Sequence, residues 1–407
     1  MKEIIVNGGY PLSGLVELSG SKNAALPVIF ATIATKGKSV INGVPDITDV
    51  DVALKIIAGF GACVERIGDS VVIDTEELHY TVPNMELTSR IRASSYLIGA
   101  CLSRFGIFHL SEFGGCNFCN RPIDIHLAAA SALGASLDNG VLYAKKMRGS
   151  NIVLSKPSVG ATINALIMAS CAEGATVIKG CAKEPHVKML AEFLRSSGGV
   201  IEDIEDGFAV FGRELHGARI TIIPDMIEAG TYLLLGPLTG GTVSVKAKDL
   251  ELESFLAVLD DSGIRVFERD GIISVSGEPR KALRVKTAPH PAYPTDLQPQ
   301  IAPLMARYSG GVITENVWQD RFSYLRSLKP FGVRFDLCGS EARIFSSRIS
   351  CATTEATDLR GGAAALMLAL CAEGVSKIKN ADLIFRGYSD IESKLGAIGA
   401  EIRVMDG

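Results

Sequence analysis

The 407-residue chain lacks several features that would define its class at once. No stretch reaches the ~18 uninterrupted apolar residues typical of a membrane-spanning helix, because glycines and charged residues break every run. No dense run of lysine and arginine occurs, and the formal net charge is −4. The sequence therefore predicts no membrane insertion and no nucleic-acid surface. The first residues carry no charged-then-apolar signal segment, so we expect a cytoplasmic protein.

Cysteine is not arranged as a disulfide framework. The nine cysteines are scattered through helix and strand patterns, which favours mostly buried free thiols in a reducing compartment. Cys116 and Cys119 form a C-x-x-C, a spacing typical of a redox pair or of half a metal site. Because no second C-x-x-C or histidine pair follows at suitable spacing, we predict no bound metal.

What the chain does have is internal repetition. One pattern occurs six times at intervals of about 65 to 73 residues, and its clearest copies begin at Ala165 and Ala365. Each copy has an apolar helix, a β-branched strand, an amphipathic helix and further strands. We therefore predict an α/β (α+β) protein of two domains. Each domain would have three βαβαββ-type units, with buried helices in the middle and sheets outside.

The domain boundaries follow from the repeats. We expect one domain from residues 1–20 plus 225–407 and a second from residues 21–224, with the active site in the cleft between them. The first strand and residues 15–19 precede the first copy, so they are expected to pair with the C-terminal half. No Pro/Ser-rich linker is present, so the two crossings near Gly20 and Pro224 should be short.

Polar residues recur just before each apolar helix. They are Lys22 and Asn23, Arg90 and Arg92, Lys156 and Ser158, Asp225 and Glu228, Thr295 and Asp296, and Asp358 and Arg360. Helix N-termini attract anions, and cations placed there oppose the helix dipole unless an anion is bound. We infer a site for phosphates and carboxylates. For the serine, threonine and aspartate residues, simple N-capping remains the alternative.

Two further segments carry candidate chemistry. Cys116 follows paired glycines and precedes Arg121, a cation that would favour the thiolate, although a lone cysteine is more often a packing residue. Asp296 follows a proline-rich stretch that would hold its carboxylate stiffly, as a general base for a sugar hydroxyl requires. His290 in that stretch is interpreted as a turn residue.

Six motifs now stand in order along the chain: SGSKNAALP, GGC…RPID, KPSVGAT, TAPHPAYPTDLQ, TDLRGGA and FRGY. Together they resemble the motifs of the UDP-N-acetylglucosamine 1-carboxyvinyltransferases, a family of enolpyruvyl transferases, from about Lys2 to Val404. The resemblance implies two inverted α/β barrel domains. It also implies transfer of enolpyruvyl from phosphoenolpyruvate to the 3-hydroxyl of UDP-N-acetylglucosamine, with release of phosphate, for peptidoglycan precursor synthesis. It implies no metal or organic cofactor, names these two substrates as partners and leaves a homo-oligomer open.

The resemblance also implies residue roles. Lys22, Arg121 and Arg386 would hold phosphoenolpyruvate, with Arg92 and Arg360 nearby. Cys116 would be the general acid and the target of fosfomycin, and Asp296 would be the base. The other substrate-binding candidates are Asn23 and Val317 at the amino sugar; Arg121, Pro122, Ile123, Asp124, Ser158, Val159 and Gly160 at the uridine diphosphate; and Lys156 and Asp358.

Some positions depart from the family pattern. Met226 stands where a basic residue is usual, His186 where an acidic one is usual, and Tyr96 replaces a larger aromatic residue. The segment 117–120 replaces a small, glycine-containing loop. Two alternatives therefore stay open: a paralogue acting on another uridine nucleotide hydroxyl, such as that of UMP, or a non-catalytic relative that binds a UDP-sugar.

Overall fold

A computed structural model describes residues 2–110, 113–114, 122–318 and 320–406. The strands are β1 (Lys2–Gly8), β2 (Gly14–Val16), β3 (Lys38–Asn42), β4 (Cys63–Ile67), β5 (Ser70–Asp74), β6 (Ile107–His109), β7 (Ser136–Asp138), β8 (Val141–Tyr143), β9 (Asn151–Val153), β10 (Ala175–Lys179), β11 (Val200–Ile204), β12 (Gly207–Phe211), β13 (Arg219–Thr221), β14 (Thr242–Lys246), β15 (Arg265–Arg269), β16 (Ile272–Ser276), β17 (Leu283–Lys286), β18 (Gly311–Thr314), β19 (Arg334–Cys338), β20 (Glu341–Phe345), β21 (Thr353–Glu355), β22 (Gly374–Lys379) and β23 (Glu401–Asp406). The helices are α1 (Lys22–Ala31), α2 (Thr48–Ala58), α3 (Met85–Thr88), α4 (Leu97–Phe105), α5 (Asp124–Ala132), α6 (Val159–Cys171), α7 (Pro185–Ser196), α8 (Met226–Thr239), α9 (Glu253–Asp261), α10 (Gln298–Arg307), α11 (Leu325–Leu328), α12 (Leu359–Cys371) and α13 (Ile391–Ala397).

The described residues form two units. The middle unit comprises residues 20–110, 113–114 and 122–223, and the terminal unit comprises residues 2–19, 224–318 and 320–406. Each unit has its own apolar core. The chain enters the middle unit after Ser19 and leaves it after Ile223.

The middle unit is built around α1, α4 and α6. These helices are apolar on nearly every side; α6, for example, is buried continuously from Ala161 to Ser170. A helix without a polar face must be enclosed by other elements. Three sheets enclose it here, with strand orders β13-β3-β5-β4, β6-β8-β7 and β11-β12-β10-β9. Helices such as α7 keep one polar face, as expected for an outer position.

The terminal unit repeats this plan around α8, α10 and α12, which contact one another. Its sheets have the orders β21-β22-β1-β23, β15-β16-β14-β2 and β17-β18-β20-β19. Strand β1 lies between β22 and β23 and is antiparallel to both, and β2 runs parallel to β14. The first two strands therefore complete sheets of the C-terminal half, as the sequence predicted. The α/β class, with helices inside and sheets outside, is confirmed.

The cysteines only partly follow expectation. Cys101, Cys181 and Cys371 are buried, Cys171 is half-buried, and Cys63, Cys338 and Cys351 are exposed. The prediction of mostly buried thiols is therefore wrong for the last three. Cys63 and Cys338 lie on β4 and β19, which are edge strands with solvent-facing positions. Among the described helices, none is long and apolar enough to cross a membrane.

Candidate functional site

The helix starts predicted from the sequence are present, but two of them begin with a 3₁₀ turn. Lys22 is the first residue of α1, and Asp225 and Asp358 are the N-cap residues of α8 and α12. Arg92 and Asp296 instead lie in short 3₁₀ turns, Arg92–Tyr96 and Thr295–Leu297, that lead into α4 and α10. These tight turns precede the regular helix, a boundary that periodicity alone does not resolve.

Capping explains part of the polar pattern. Asp225 Oδ1 accepts hydrogen bonds from the N–H groups of Ile227 and Glu228 at 2.8 and 3.0 Å. Asp358 Oδ1 accepts from the N–H groups of Arg360 and Gly361 at 3.0 and 2.9 Å. The two aspartates therefore satisfy the unpaired N–H groups of their own helices, which is the capping alternative for these positions.

Asp296 is different, because its carboxylate binds side chains. Oδ1 accepts from Arg321 Nη2 at 2.8 Å, and Oδ2 accepts from Arg360 Nη2 at 3.2 Å. The aspartate side chain is 31% exposed, whereas both arginine side chains are 5% exposed. Two buried cations thus orient a carboxylate that still reaches the surface. Both cations also favour its ionised form, which is the form that can accept a proton.

Arg360 carries a fixed charge at this point. Burial disfavours that charge, but the Asp296 carboxylate, Tyr388 and Asp225 outweigh it and raise the pKa of Arg360 above its usual value. The guanidinium also lies 5.7 Å from the centroid of the Tyr388 ring. Arg360 is therefore a permanent cation at the start of α12, where an anionic group of a ligand would be favoured.

Glu315 fixes the turn that carries Asp296. It follows β18, is 4% exposed, and its Oε2 accepts from the Thr295 hydroxyl at 2.8 Å. Its Oε1 accepts from the Thr287 hydroxyl and from the N–H of Val317, both at 2.8 Å. Thr295 is therefore not an N-cap, and the capping alternative is wrong there. One buried carboxylate ties the Asp296 turn to the Val317 segment.

The start of α8 holds a buried ion pair. Glu228 Oε1 accepts from Lys394 Nζ at 2.7 Å, and Oε2 accepts from the Ser19 N–H at 2.6 Å. Lys394 Nζ also donates to Ser19 Oγ at 2.6 Å. Burial raises the pKa of Glu228 to about 7, although Lys394 opposes that shift. The pair links α8, α13 and the end of the first segment of the terminal unit.

In the middle unit, Lys22 at the start of α1 forms an ion pair. Its Nζ lies 3.2 Å from Asp49 Oδ2, and the two side chains are 13% and 5% exposed. Asp49 lies in the first turn of α2. The lysine thus has a buried counter-charge that orients it, while part of its surface stays accessible. Asn23, the next residue of α1, is half-buried.

The nucleotide candidates lie on α5, α6 and the loops before them. Asp124 begins α5, and Ser158 is the N-cap of α6, where its Oγ accepts from the Ala161 N–H at 3.4 Å. Val159 and Gly160 form the first turn of α6 and are half-buried. Lys156, two residues before the cap, is exposed.

Other candidates are placed as follows. Pro122 is exposed and Ile123 is half-buried, and Arg386 is half-buried at the end of the 3₁₀ turn Ala381–Arg386. Cys116, Cys119 and Arg121 lie outside the described residues, so their roles stay predictions. Within the described part of the chain, no group of three metal-ligating side chains comes together.

Three supporting residues were missed from the sequence: Asp49, Glu315 and Arg321. Each is a charged residue that the structure buries against a candidate site residue. Arg321 stands between aromatic residues in QDRFSYL, and Glu315 ends the strand pattern GVITE. A charge inside an apolar segment is expected to be paired, and that signal could have identified Arg321 and Glu315 as partners of other charged or polar groups.

Comparison with known proteins places this geometry in a class. The solved enolpyruvyl transferase NikO from Streptomyces tendae superposes with a TM-score of 0.87 at 26% identity, covering 99% of this chain and 98% of that one. EPSP synthase from Acinetobacter baumannii superposes with a TM-score of 0.73 at 15% identity over the whole of both chains, which shows the shared fold. The fold is that of the enolpyruvyl transferases.

The family follows from sequence. The profile described as EPSP synthase (3-phosphoshikimate 1-carboxyvinyltransferase) matches residues 6–395, and the chain belongs to this family. Within it, the chain is 42% identical to UDP-N-acetylglucosamine 1-carboxyvinyltransferase 3 of Caldanaerobacter subterraneus and 42% identical to the UDP-N-acetylglucosamine 1-carboxyvinyltransferase of Halothermothrix orenii. Both matches cover 99% of each protein. The predicted resemblance is confirmed for family, fold and enzyme class.

Proposed function

We propose that the chain transfers the enolpyruvyl group of phosphoenolpyruvate to the 3-hydroxyl of UDP-N-acetylglucosamine and releases phosphate. The observation that carries the proposal is the 42% identity, over 99% of both proteins, with relatives named for this reaction. That identity extends through both units. The product would be an early intermediate of peptidoglycan precursor synthesis.

The chemistry defines what the site must supply. The sugar hydroxyl adds to C2 of the enol phosphate while C3 gains a proton, which gives a tetrahedral intermediate. Loss of a proton from C3 and of phosphate from C2 then restores the double bond. The reaction needs a base at the hydroxyl, an acid at C3 and cations around the phosphate and carboxylate.

Asp296 is the proposed base. Its pairing with Arg321 and Arg360 supports the role, because an ionised carboxylate held in one orientation can accept the hydroxyl proton. The same arginines weaken it as a base, so we infer that it takes the proton only as the hydroxyl becomes acidic during attack. Cys116 is the proposed acid on the basis of its motif.

Cations at helix starts are the proposed anion ligands. Arg360 supplies a buried full charge at the start of α12, and Lys22 adds a full charge to the start of α1, which has no side-chain cap. Arg92, Arg121 and Arg386 are proposed to complete the phosphoenolpyruvate set. For the nucleotide, Asp124 and the first turn of α6 are proposed to hold the uridine and its diphosphate.

The test is phosphate release from phosphoenolpyruvate by the purified chain, with UDP-N-acetylglucosamine, UMP or no acceptor. We expect release that requires UDP-N-acetylglucosamine, together with a product heavier by the enolpyruvyl group in mass spectra. Asp296→Asn should reduce turnover by about 10²- to 10⁴-fold. Release with UMP alone would refute the acceptor assignment. No release with either, despite UDP-sugar binding, would point to a non-catalytic relative.

A further inference from the structure

Tyr388 ends the FRGY motif but has no role in the chemistry above. It lies between the 3₁₀ turn Ala381–Arg386 and α13, and only 1% of its surface is exposed. Its hydroxyl lies inside the terminal unit, where one polar side chain from each of α8, α10 and α12 reaches it. A tyrosine buried in this way either fills space or holds a neighbouring group in place, and its hydrogen bonds decide between the two roles.

The hydrogen bonds of the Tyr388 hydroxyl have one direction. The Thr231 hydroxyl of α8 lies 2.8 Å from it and also 2.8 Å from the carbonyl oxygen of Ile227. Because a carbonyl oxygen only accepts, Thr231 donates its one proton to Ile227 and must accept the proton of Tyr388. Gln300 of α10 donates to the same phenol oxygen from Nε2, at 3.1 Å. The phenol oxygen is therefore held from two helices, as a donor to α8 and as an acceptor from α10.

The phenol also keeps its proton near neutral pH. Burial raises the pKa of Tyr388, and Arg360, Thr231 and Gln300 oppose that shift without reversing it. A neutral phenol donates one hydrogen bond and can accept from two donors. Thr231 takes the proton and Gln300 occupies one acceptor position, so one acceptor position remains for a third partner.

Arg360 of α12 is this third partner. Its guanidinium lies 5.7 Å from the centroid of the Tyr388 ring and forms a side-chain hydrogen bond with the hydroxyl. Its Nη2 donates to Asp296 Oδ2 at 3.2 Å, whereas its Nε is buried without a hydrogen-bond partner among the described residues. Without the contact to Tyr388, the guanidinium could turn about its single bond to the carboxylate. Tyr388 therefore restrains the cation that orients the proposed base.

We propose that Tyr388 is a positioning residue for the reaction: its hydroxyl, itself oriented by Thr231 and Gln300, holds the Arg360 guanidinium in the orientation that binds Asp296. The inference rests on the proposed function for the role of Asp296 as the base. Because Tyr388 is only 1% exposed, it acts through Arg360 and not on a substrate. The three central helices of the terminal unit are thus joined at one phenol oxygen, which transmits their packing to the carboxylate.

Three substitutions separate the hydroxyl from the packing of the ring. Tyr388→Phe keeps the ring and removes only the hydroxyl. Thr231→Val removes the acceptor of the Tyr388 proton at nearly unchanged size, and Thr231→Ser keeps that acceptor. The matched control is Tyr308→Phe, because the Tyr308 hydroxyl donates to the Pro237 carbonyl at 2.9 Å, near the other ends of α8 and α10. The control also loses one tyrosine hydrogen bond in the terminal unit, away from Arg360.

The first measurement is steady-state kinetics with UDP-N-acetylglucosamine and phosphoenolpyruvate, alongside thermal unfolding. We expect Tyr388→Phe to lower kcat about tenfold and to change KM for the UDP-sugar by less than about threefold. Thr231→Val should lower kcat about threefold, and Thr231→Ser should restore it. In the double variant of Tyr388→Phe and Thr231→Val, kcat should equal that of Tyr388→Phe alone, because the hydrogen bond between the two residues is already absent. Tyr308→Phe should keep kcat even where its melting temperature falls as far as that of Tyr388→Phe.

An unchanged kcat in Tyr388→Phe would overturn the inference. Equal losses of kcat in Tyr388→Phe and Tyr308→Phe would also overturn it, since the hydroxyl would then matter only for stability. Multiplied losses in the double variant would show that Thr231 does not act through Tyr388.

The second measurement does not depend on turnover. Crystal structures of wild type and Tyr388→Phe should show the contact between Arg360 Nη2 and Asp296 Oδ2 only in wild type, because the phenylalanine leaves the guanidinium free to turn. The same contact at an unchanged distance in both structures would overturn the inference. If wild type gives no turnover, the proposed function fails by itself, and this comparison still tests whether Tyr388 positions Arg360.

Discussion

Substitution of Lys394 by methionine should make the stability of the terminal unit strongly dependent on pH. Lys394 is the cation that faces Glu228, and its ammonium is 2.7 Å from Glu228 Oε1 and 2.6 Å from Ser19 Oγ. Methionine has a similar length and fills the space without charge. The substitution therefore removes two hydrogen bonds and leaves a carboxyl group that is 2% exposed.

The direction of the pH dependence of stability follows from the pKa of Glu228 in the unfolded chain and in the folded protein. Its ordinary value is 4.5, and burial raises it to about 7 in the folded protein. The contribution of the group to stability is therefore full below 4.5 and is lost as pH rises through 7, a change of at most about 3 kcal/mol. Lys394 lowers the folded pKa. In Lys394→Met this pKa must rise, so stability continues to fall above pH 7.

The size of the effect depends on whether Glu228 is ionised. Near pH 5.5 the carboxyl can be protonated, and the variant should lose about 1 to 2 kcal/mol for its missing hydrogen bonds. Near pH 8.5 the variant must either bury an unpaired carboxylate or keep Glu228 protonated far above its ordinary pKa. Either cost should bring its loss of unfolding free energy, relative to wild type, to about 3 to 5 kcal/mol. The difference between variant and wild type should thus grow with pH.

Urea unfolding at pH 5.5 and 8.5, followed by tryptophan fluorescence, measures this difference. The chain has one tryptophan, Trp318, and it lies in the terminal unit, so the signal reports the unit that contains the pair. Lys246→Met is the control, because its ion pair with Glu17 is 65% and 80% exposed, so solvent screens it and its loss should change stability little at either pH. A loss in Lys394→Met that is equal at both pH values would refute the reasoning.

Three further predictions concern the site. Arg321→Met should lower kcat by about 10²-fold with little change in KM, because Asp296 loses one of its two orienting partners; an unchanged kcat would show that Arg360 suffices. Asp49→Asn should raise KM for phosphoenolpyruvate about tenfold by releasing Lys22, whereas the neighbouring exposed Asp51→Asn should not; equal effects in both variants would exclude a specific role. Fosfomycin should add to Cys116 in intact-mass spectra and not to Cys116→Ser, while modification at another cysteine alone would overturn that assignment.

Repetition made the helices of this fold predictable. The six apolar segments are too uniformly hydrophobic to be surface helices, so their central position followed from composition alone. The starts of α8 and α12 could also be predicted, since Asp225 and Asp358 are typical caps. Thr295 carries the same signal, yet its hydroxyl donates to the Glu315 carboxylate, a charge-assisted hydrogen bond, and no side chain caps that turn.

The partners of the site residues could not be predicted in the same way. Asp49 is 27 residues from Lys22, and Arg321 is 25 residues from Asp296. Such pairs form only when separate elements pack side by side, and local periodicity carries no information about that. The charged groups could therefore be identified from the sequence, while tertiary packing determines their orientation and protonation.

The far ends of the central helices show why a repeat does not predict its own side-chain contacts. Helices α4 and α10 end in the similar sequences SRFG and ARYSG, with Arg104 and Arg307 at equivalent places. Arg307 donates to the carbonyl oxygen and the Sγ of Cys371, at the end of α12. Arg104 instead donates to the carbonyl oxygens of Thr35, Thr75 and Glu76.

The aromatic residues that follow these arginines also make different contacts. In the terminal unit, the Tyr308 hydroxyl donates to the Pro237 carbonyl at 2.9 Å, so the aromatic ring spans two helix ends. Its counterpart Phe105 lacks the hydroxyl and stacks on Phe60, 5.8 Å between centroids. A cavity of about 400 Å³, lined by Arg104 among others, lies at this end of the middle unit. The two helix ends thus make different contacts although their sequences are similar, so each copy of a repeat must be assigned its function from its own contacts.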